Sequence, residues 1–216
     1  MGRLARILAA WTLVLLAAAP AARASEREGM RVHIIHGYAA SPADHWFPWL
    51  ERELERRGAR VDIVELPASD APRPEAWLQA LEVQVGRPDR NTFFVAHSLG
   101  GITLLRYLES LQPEPEVGGY ILVSGFNDRL AILPQLDGFV RPELDHDRLA
   151  RIASARTVIA ARDDTIVPYG LSLELADALQ ARFVTVERGG HFLGSDGFNE
   201  FPLVFQELER AMEAGR

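Results

Sequence analysis

The sequence predicts an α/β fold with about six strands in a mainly parallel sheet and helices on both faces. Apolar runs of strand length alternate with amphipathic stretches of helical period from residue 31 onward. The chain has 216 residues, enough for one domain with a full core and too few for two comfortable ones. Conspicuous polar residues follow the apolar runs, at the sheet edge where parallel α/β sheets bind their ligands.

Each predicted strand is a short apolar or β-branched run, and each predicted helix has apolar residues three or four positions apart. The strands are predicted at 32–35, 61–66, 92–96, 120–123, 157–161 and 183–186. The helices are predicted at 46–57, 74–85, 102–111 and 201–212, with Pro74 suited to a first helical turn. The longest irregular segment, 126–147, is predicted to form a small cap.

Composition excludes several classes of function. Apolar residues make up 48% and charged residues 25%, which is ordinary for a globular protein. A formal net charge of −7 argues against a nucleic-acid partner. The chain has no cysteine, which excludes disulfides, thiolate nucleophiles and cysteine metal sites. No histidine pair has zinc-ligand spacing, so we expect neither a metal nor a cofactor.

The N-terminus has the pattern of a secretory signal peptide. Arg3 and Arg6 precede an apolar segment of about 13 residues, and an A-x-A cleavage pattern ends at Ala24. This segment is shorter than the roughly 20 residues that span a bilayer, which disfavours an uncleaved anchor. We therefore expect a signal peptide at 1–24, a single domain at 25–216, and an exported protein, periplasmic or extracellular, without a stable membrane anchor.

The stretch Ala96-His97-Ser98-Leu99-Gly100 predicts a sharp turn from a strand into a helix. Such a turn exposes a serine hydroxyl and is the nucleophile elbow of an α/β-hydrolase, usually written G-x-S-x-G, with Ala96 here in place of the first glycine. Ser98 is the predicted nucleophile. The alternative is a simple helix N-cap, a position that serine favours.

A nucleophilic serine requires an acid and a histidine later in the chain. Asp164 follows the predicted strand 157–161 and precedes Val167-Pro168, the spacing expected of the acid, while Asp163 is the alternative. His191 follows the last predicted strand after two glycines and is the predicted base. A strand-end aspartate can also be a turn or helix cap, and one of the two aspartates is expected to be one.

When a serine attacks a carbonyl group, the carbonyl oxygen becomes an oxyanion, and hydrogen-bond donors fixed in position before the reaction stabilise it. We assign one to the N–H of Leu99, at the start of the helix that follows the elbow. We assign the second to Tyr38 in the loop after the first strand, with Gly37 as the alternative. His45, beside Trp46 at a helix start, either lines the pocket or caps that helix; the residues that bind substrate are otherwise not predicted.

These motifs resemble a family of small serine hydrolases similar to retinoblastoma-binding protein nine and the bacterial YdeN-like proteins. The resemblance runs from about residue 31 to the C-terminus. It rests on His45-Trp46-x-x-Trp49-Leu50, Ala96 to Gly100, Ile121 to Ser124, Asp163-Asp164-x-x-Val167-Pro168 and Gly190-His191-Phe192. It implies a compact α/β-hydrolase with little cap and a Ser98–Asp164–His191 triad. Ala96 and the export signal depart from the family pattern.

The sequence therefore predicts a serine hydrolase that cleaves small carboxylic esters through an acyl-enzyme on Ser98, with amides as a further candidate substrate class. A lipase or acyl-thioesterase using the same triad is an alternative. A catalytically silent binding protein on a hydrolase fold is another, of a different class.

Overall fold

The computed structural model describes residues 29–214, in which six strands form one sheet. The strands are β1 (Arg31–Ile35), β2 (Arg60–Val64), β3 (Thr92–His97), β4 (Val117–Val123), β5 (Ala153–Ala161) and β6 (Arg182–Val186). Their order in the sheet is β2-β1-β3-β4-β5-β6, and every neighbouring pair is parallel. The predicted six-stranded α/β fold is confirmed, and all carboxyl ends of the strands lie at one edge.

Helices cover both faces of this sheet because a parallel strand connection must cross from one sheet edge to the other. They are α1 (Phe47–Glu55), α2 (Pro74–Val85), α3 (Leu99–Ser110), α4 (His146–Ile152), α5 (Tyr169–Ala178) and α6 (Pro202–Ala214). The apolar sides of α1 and α6 pack in one buried cluster, and those of α2 to α5 pack in the other.

Alternation along the central strands divides the core between these two clusters. In β4, Tyr120 and Leu122 belong to the cluster beneath α2 to α5, while Ile121 and Val123 belong to the cluster beneath α1 and α6. All four side chains are fully buried. A strand that is buried on both faces reads as a continuous apolar run, which explains why the sequence pattern identified it.

Some elements differ from the predicted ones. Strands β4 and β5 begin at Val117 and Ala153, earlier than predicted, because the polar and small residues there lack a strand-like pattern. Helices α4 and α5 were not predicted at all. The cap segment 126–147 contains a 3₁₀ helix at Pro134–Val140, and buried side chains such as Leu136 and Phe139 anchor it to the core.

The sequence predictions also concern the N-terminus, membrane helices and metal sites. The predicted signal peptide, 1–24, lies outside the described residues. Within 29–214, no helix has both the length and the apolar character needed to cross a bilayer. The same range contains no group of three or more His, Cys, Asp or Glu side chains arranged to hold a metal ion.

His33 in β1 is a buried histidine without a hydrogen bond. Its side chain stacks on Phe94, and neither ring nitrogen has a partner among residues 29–214. The nearest acidic oxygen, Asp62 Oδ2, is 3.9 Å from Nδ1, which is too far for a hydrogen bond. Burial lowers the pKa of His33 below its usual value of 6.5, and the Asp62 charge opposes this only in part.

We predict that the protein loses stability in mild acid, in part through His33. Because the pKa of the folded state lies below that of the unfolded state, the unfolded chain binds more protons below about pH 6.5. The contribution of His33 to the free energy of unfolding should therefore stay constant above that pH. Below that pH, the free energy of unfolding should decline. His33→Leu should reduce this decline in urea titrations at pH 5 to 8. An unchanged decline would contradict the prediction.

Candidate active site

Four polar side chains follow four neighbouring strands at the carboxyl edge of the sheet. Ser98 follows β3, Ser124 follows β4, Asp164 comes just after β5, and His191 lies in the loop after β6. Each of the four is at most 9% exposed. The fold thus brings the three residues predicted as catalytic to one buried corner, and it adds Ser124.

Ser98 is held in a backbone conformation that few non-glycine residues adopt. Its φ is 53° and its ψ is −123°, and its N–H donates to the Val123 carbonyl at 2.8 Å. Ser98 occupies the N-cap position of α3, but its hydroxyl makes no capping hydrogen bond. The helix-cap alternative therefore does not account for this serine, because its side chain leaves the helix end unsatisfied.

Close packing explains which small residues the turn requires. A Cβ on Gly100 would lie 2.4 Å from the His36 carbonyl oxygen, and a Cβ on Gly37 would lie 3.0 Å from Ser98 Cβ. Position 100 therefore needs glycine, whereas a side chain at position 37 requires its neighbours to shift by a few tenths of an ångström. Ala96, by contrast, is fully buried in the apolar cluster beneath α3, where its methyl group packs among other side chains. The departure from glycine at this position is accommodated by the core.

Asp164 and His191 form a buried hydrogen-bonded pair. His191 Nδ1 lies 2.8 Å from Asp164 Oδ2, and Ser124 Oγ donates to the same oxygen at 2.8 Å. The other carboxylate oxygen, Oδ1, accepts the N–H groups of Ile166 and Val167, each at 2.9 Å. With both oxygens used as acceptors, Nδ1 of His191 must donate, so the lone pair of the neutral ring is on Nε2.

Two other carboxylates hold the loop that carries His191. Asp163 Oδ1 accepts the N–H groups of Gly189 and Gly190, at 2.8 and 2.9 Å. These bonds lower the pKa of Asp163. Asp196 Oδ2 accepts the N–H of His191 at 3.0 Å. Asp163, the alternative acid, therefore contacts the backbone of the loop, whereas Asp164 contacts the imidazole.

His97 packs between the nucleophile turn and this loop. Its Nε2–H donates to the His191 carbonyl at 2.8 Å, and the two imidazole centroids are 4.8 Å apart. Burial lowers the pKa of His97 well below its usual value, and repulsion from His191 adds to this effect. His97 is therefore neutral near pH 7, and it links the position of the histidine loop to β3.

The predicted backbone donors lie beside Ser98. Leu99 is the first residue of α3, where the N–H groups of the first turn have no acceptor within the helix. Tyr38 follows Gly37 in the loop that packs on Ser98. His36 fixes this loop, because its Nδ1–H donates to the Gly37 carbonyl at 3.0 Å and its Nε2 accepts the Leu66 N–H at 3.2 Å.

A cavity of about 310 Å³ opens onto Ser98 and His191. His45 and His97 contribute to its wall, and most of the remaining wall is apolar or aromatic. Those residues include Tyr38, Ala39, Ile132, Leu133, Ile166 and Leu193. Ile132 and Leu133 belong to the cap segment, which therefore covers the cavity from one side. The volume is at the small end of the range of ligand pockets, about 300 to 1,000 Å³.

Strained backbone is concentrated around this cavity. Of the seven non-glycine residues with positive φ in the described range, five are near the site, and the other two are Ala68 and Gln180. The five are Ala39, His45, Ser98, Ser124 and Phe192. Such conformations cost on the order of 1–3 kcal/mol each and persist where surrounding structure imposes them, often at functional sites.

Sequence reasoning did not identify Ser124 as a functional candidate. It lies at the end of β4 with φ 48°, is fully buried, and its N–H extends the pairing to the Ile159 carbonyl. The available signal was its position at the carboxyl end of β4. This strand is the neighbour of β5, which precedes Asp164. That signal depends on the order of strands in the sheet, which the sequence alone does not specify.

Sequence comparison identifies proteins that are similar to this chain over most of its length. A family profile described as serine hydrolase matches residues 32–210. The chain is 44% identical over 178 residues to YdeN of Bacillus subtilis (strain 168), covering 82% of this chain and 94% of YdeN. It is 25% identical over 165 residues to serine hydrolase RBBP9 of Rattus norvegicus, covering 76% of this chain and 86% of the rat protein.

Solved structures agree with these sequence matches. The crystal structure of the B. subtilis ydeN gene product superposes with a TM-score of 0.83 at 43% identity, covering 85% of this chain and 99% of that one. A YdeN-like hydrolase from Pectobacterium atrosepticum superposes with a TM-score of 0.65 at 16% identity, covering 90% of this chain and 96% of that one. The second match shows similarity of fold alone.

Proposed function

The chain belongs to the serine hydrolase family, and on this basis we propose that it cleaves small carboxylic esters through an acyl-enzyme on Ser98. One observation carries the proposal. Ser98 lies on a strained turn at the same cavity as His191, and His191 is hydrogen-bonded to the buried carboxylate of Asp164. Together these are the groups needed to activate a serine hydroxyl.

In the first half of the proposed reaction, Ser98 Oγ attacks the ester carbonyl carbon. Nε2 of His191 takes the hydroxyl proton, while Asp164 holds Nδ1–H and stabilises the imidazolium that forms. The tetrahedral intermediate then collapses, the bond to the alkoxy oxygen breaks, and His191 returns the proton to the leaving alcohol. The products of this half are the free alcohol and the Ser98 ester.

In the second half, a water molecule replaces the alcohol. His191 takes a proton from this water as its oxygen attacks the acyl carbon, and the same proton returns to Ser98 Oγ when that bond breaks. The N–H groups of Leu99 and Tyr38 are the proposed donors to the oxyanion in both halves. Loss of one such donor typically raises the barrier by about 3 kcal/mol.

The size of the cavity supports a short acyl or alkoxy group. We expect kcat/KM for nitrophenyl esters to be highest for short acyl groups such as butanoyl and to fall for hexadecanoyl, because a cavity of about 310 Å³ does not enclose a long chain. A panel of acetyl, butanoyl, octanoyl and hexadecanoyl esters measures this. A preference for the longest chain would favour the lipase alternative, and no turnover on any ester would favour a silent binding protein.

Ser124 is a proposed positioning residue that acts through Asp164. Ser124→Ala removes one donor from the carboxylate oxygen that holds His191, and a hydrogen bond to a charged group contributes about 1.5–3 kcal/mol. We expect kcat to fall about tenfold with little change in KM. Ser124→Gly, which also relieves the positive φ, should lose as much. Wild-type kcat in Ser124→Gly would show that the hydroxyl is not needed and would contradict this role.

A further inference from the structure

His45 has a conformation that calls for an explanation beyond packing. It immediately precedes Trp46, the N-cap residue of α1, and its φ of 55° is unusual for a residue other than glycine. Its half-buried ring lines the cavity that Ser98 and His191 share. A ligand in this cavity can therefore contact the ring and the reacting groups together.

One hydrogen bond determines which nitrogen of His45 carries the proton. The N–H of Gly194 donates to Nδ1 at 2.9 Å, so Nδ1 presents its lone pair and the neutral ring carries its proton on Nε2. Burial lowers the pKa of His45, and Asp44 opposes this effect. The ring is thus neutral near pH 7. Edge contacts with Phe47 and His97, at centroid distances of 5.4 and 5.9 Å, fix its plane.

The Nε2–H of His45 has no hydrogen-bond partner among residues 29–214, and much of the surrounding wall is apolar. His97, the neighbouring imidazole in the wall, already donates its Nε2–H to the His191 carbonyl. Apart from the reacting pair, the other polar side chain of this wall is the phenol of Tyr38. A fixed donor in an apolar cavity favours a ligand that supplies an acceptor, because an unmatched polar group loses its hydrogen bond to water.

We propose that His45 is a specificity-determining residue whose Nε2–H donates to an ether, carbonyl or hydroxyl oxygen of the substrate. The preferred substrates are then short esters with an additional oxygen acceptor, rather than plain alkyl alkanoates. This inference rests on the proposed ester hydrolysis and specifies its substrate class. The acceptor belongs either to the acyl group or to the alcohol group.

Two pairs of esters of matched size test the proposal and distinguish these two sources. Nitrophenyl methoxyacetate and nitrophenyl butanoate differ by an ether oxygen in place of one methylene of the acyl group. Methoxyethyl acetate and butyl acetate differ in the same way in the alcohol. For each pair the measured quantity is the ratio of kcat/KM for the ether ester to that for the alkyl ester, compared between variants so that intrinsic reactivity cancels.

Two substitutions separate the donor from the structural role of the ring. His45→Asn tolerates the positive φ and keeps an acceptor for the Gly194 N–H, but it lacks a donor at the Nε2 position. His45→Gln can place an amide N–H at that position. We expect the ratio for one of the two pairs to fall about fivefold in His45→Asn and to be largely retained in His45→Gln. His146→Asn, the same change in the cap, should leave both ratios at the wild-type values.

Three results would overturn the assignment. The first is a pair of ratios that His45→Asn leaves unchanged. The second is a ratio that falls equally in His45→Asn and His45→Gln, which would implicate the ring rather than the donor. The third is a ratio that Tyr38→Phe abolishes while His45→Asn retains it. In all three the wild-type enzyme is active, whereas a wild-type protein that hydrolyses none of the four esters would refute the proposed function and this inference together.

Discussion

Ser98→Ala is expected to lower ester turnover about 10⁶-fold while the protein remains as stable as the wild type. The loss follows because the hydroxyl oxygen is the atom proposed to form the covalent bond. Stability should be unaffected because the hydroxyl caps no helix, and alanine at φ 53° carries a strain similar to that of serine. Steady-state kinetics and urea unfolding on the same preparations measure both quantities.

A matched control for this substitution lies on the same helix. Ser110→Ala removes the hydroxyl of an exposed serine at the end of α3, whose one hydrogen bond within residues 29–214 is to the Tyr107 carbonyl. It should keep wild-type turnover. If Ser98→Ala retained turnover within tenfold of wild type, or if it lost stability in proportion to activity, Ser98 would be structural rather than the nucleophile.

Asp164→Asn is expected to lower kcat about 10⁴-fold, because it stabilises the tautomer of His191 that cannot accept the Ser98 proton. The Ile166 and Val167 N–H groups donate to Oδ1 of Asp164, so the asparagine oxygen must stay on that side. The amide NH₂ then faces His191 Nδ1, which must become an acceptor. The ring proton moves to Nε2, and the lone pair that should take the Ser98 proton is lost.

Asp163→Asn tests the assignment of the acid between two adjacent aspartates. An asparagine oxygen at this position can still accept the Gly189 and Gly190 N–H groups, so kcat should stay close to the wild-type value. Kinetics of the two variants under identical conditions provide the comparison. A larger loss in Asp163→Asn than in Asp164→Asn would reverse the assignment.

Much of the sheet could be predicted because its central strands, such as β3 and β4, are buried on both faces and read as apolar runs. The sharp turn at Ser98 was also predictable from a local pattern. A strand that turns directly into a helix at a serine needs small residues on both sides of that serine, and the sequence has them. The order of Ser98, Asp164 and His191 along the chain then followed from where each strand ends. In the structure, Ser98 and His191 line one cavity, and Asp164 is hydrogen-bonded to His191.

Other features depend on contacts that no local pattern encodes. Helix α5 was missed, although a parallel connection between β5 and β6 requires a crossover element. The hydrogen bond from Ser124 to Asp164 arises because β4 and β5 are neighbours in the sheet. The tautomer of His45 depends on Gly194, which is 149 positions later in the chain. Export through a signal peptide at 1–24 stays a prediction.

The central claim is that Ser98 is the nucleophile, and covalent labelling tests it most directly. A fluorophosphonate transfers its phosphonyl group to an activated serine with loss of fluoride, and trypsin then releases the peptide 91–106, in which Ser98 is the one serine. Mass spectrometry should find the added group on this peptide in wild type and on no peptide in Ser98→Ala. Labelling of a different peptide, or equal labelling of the variant, would contradict the claim.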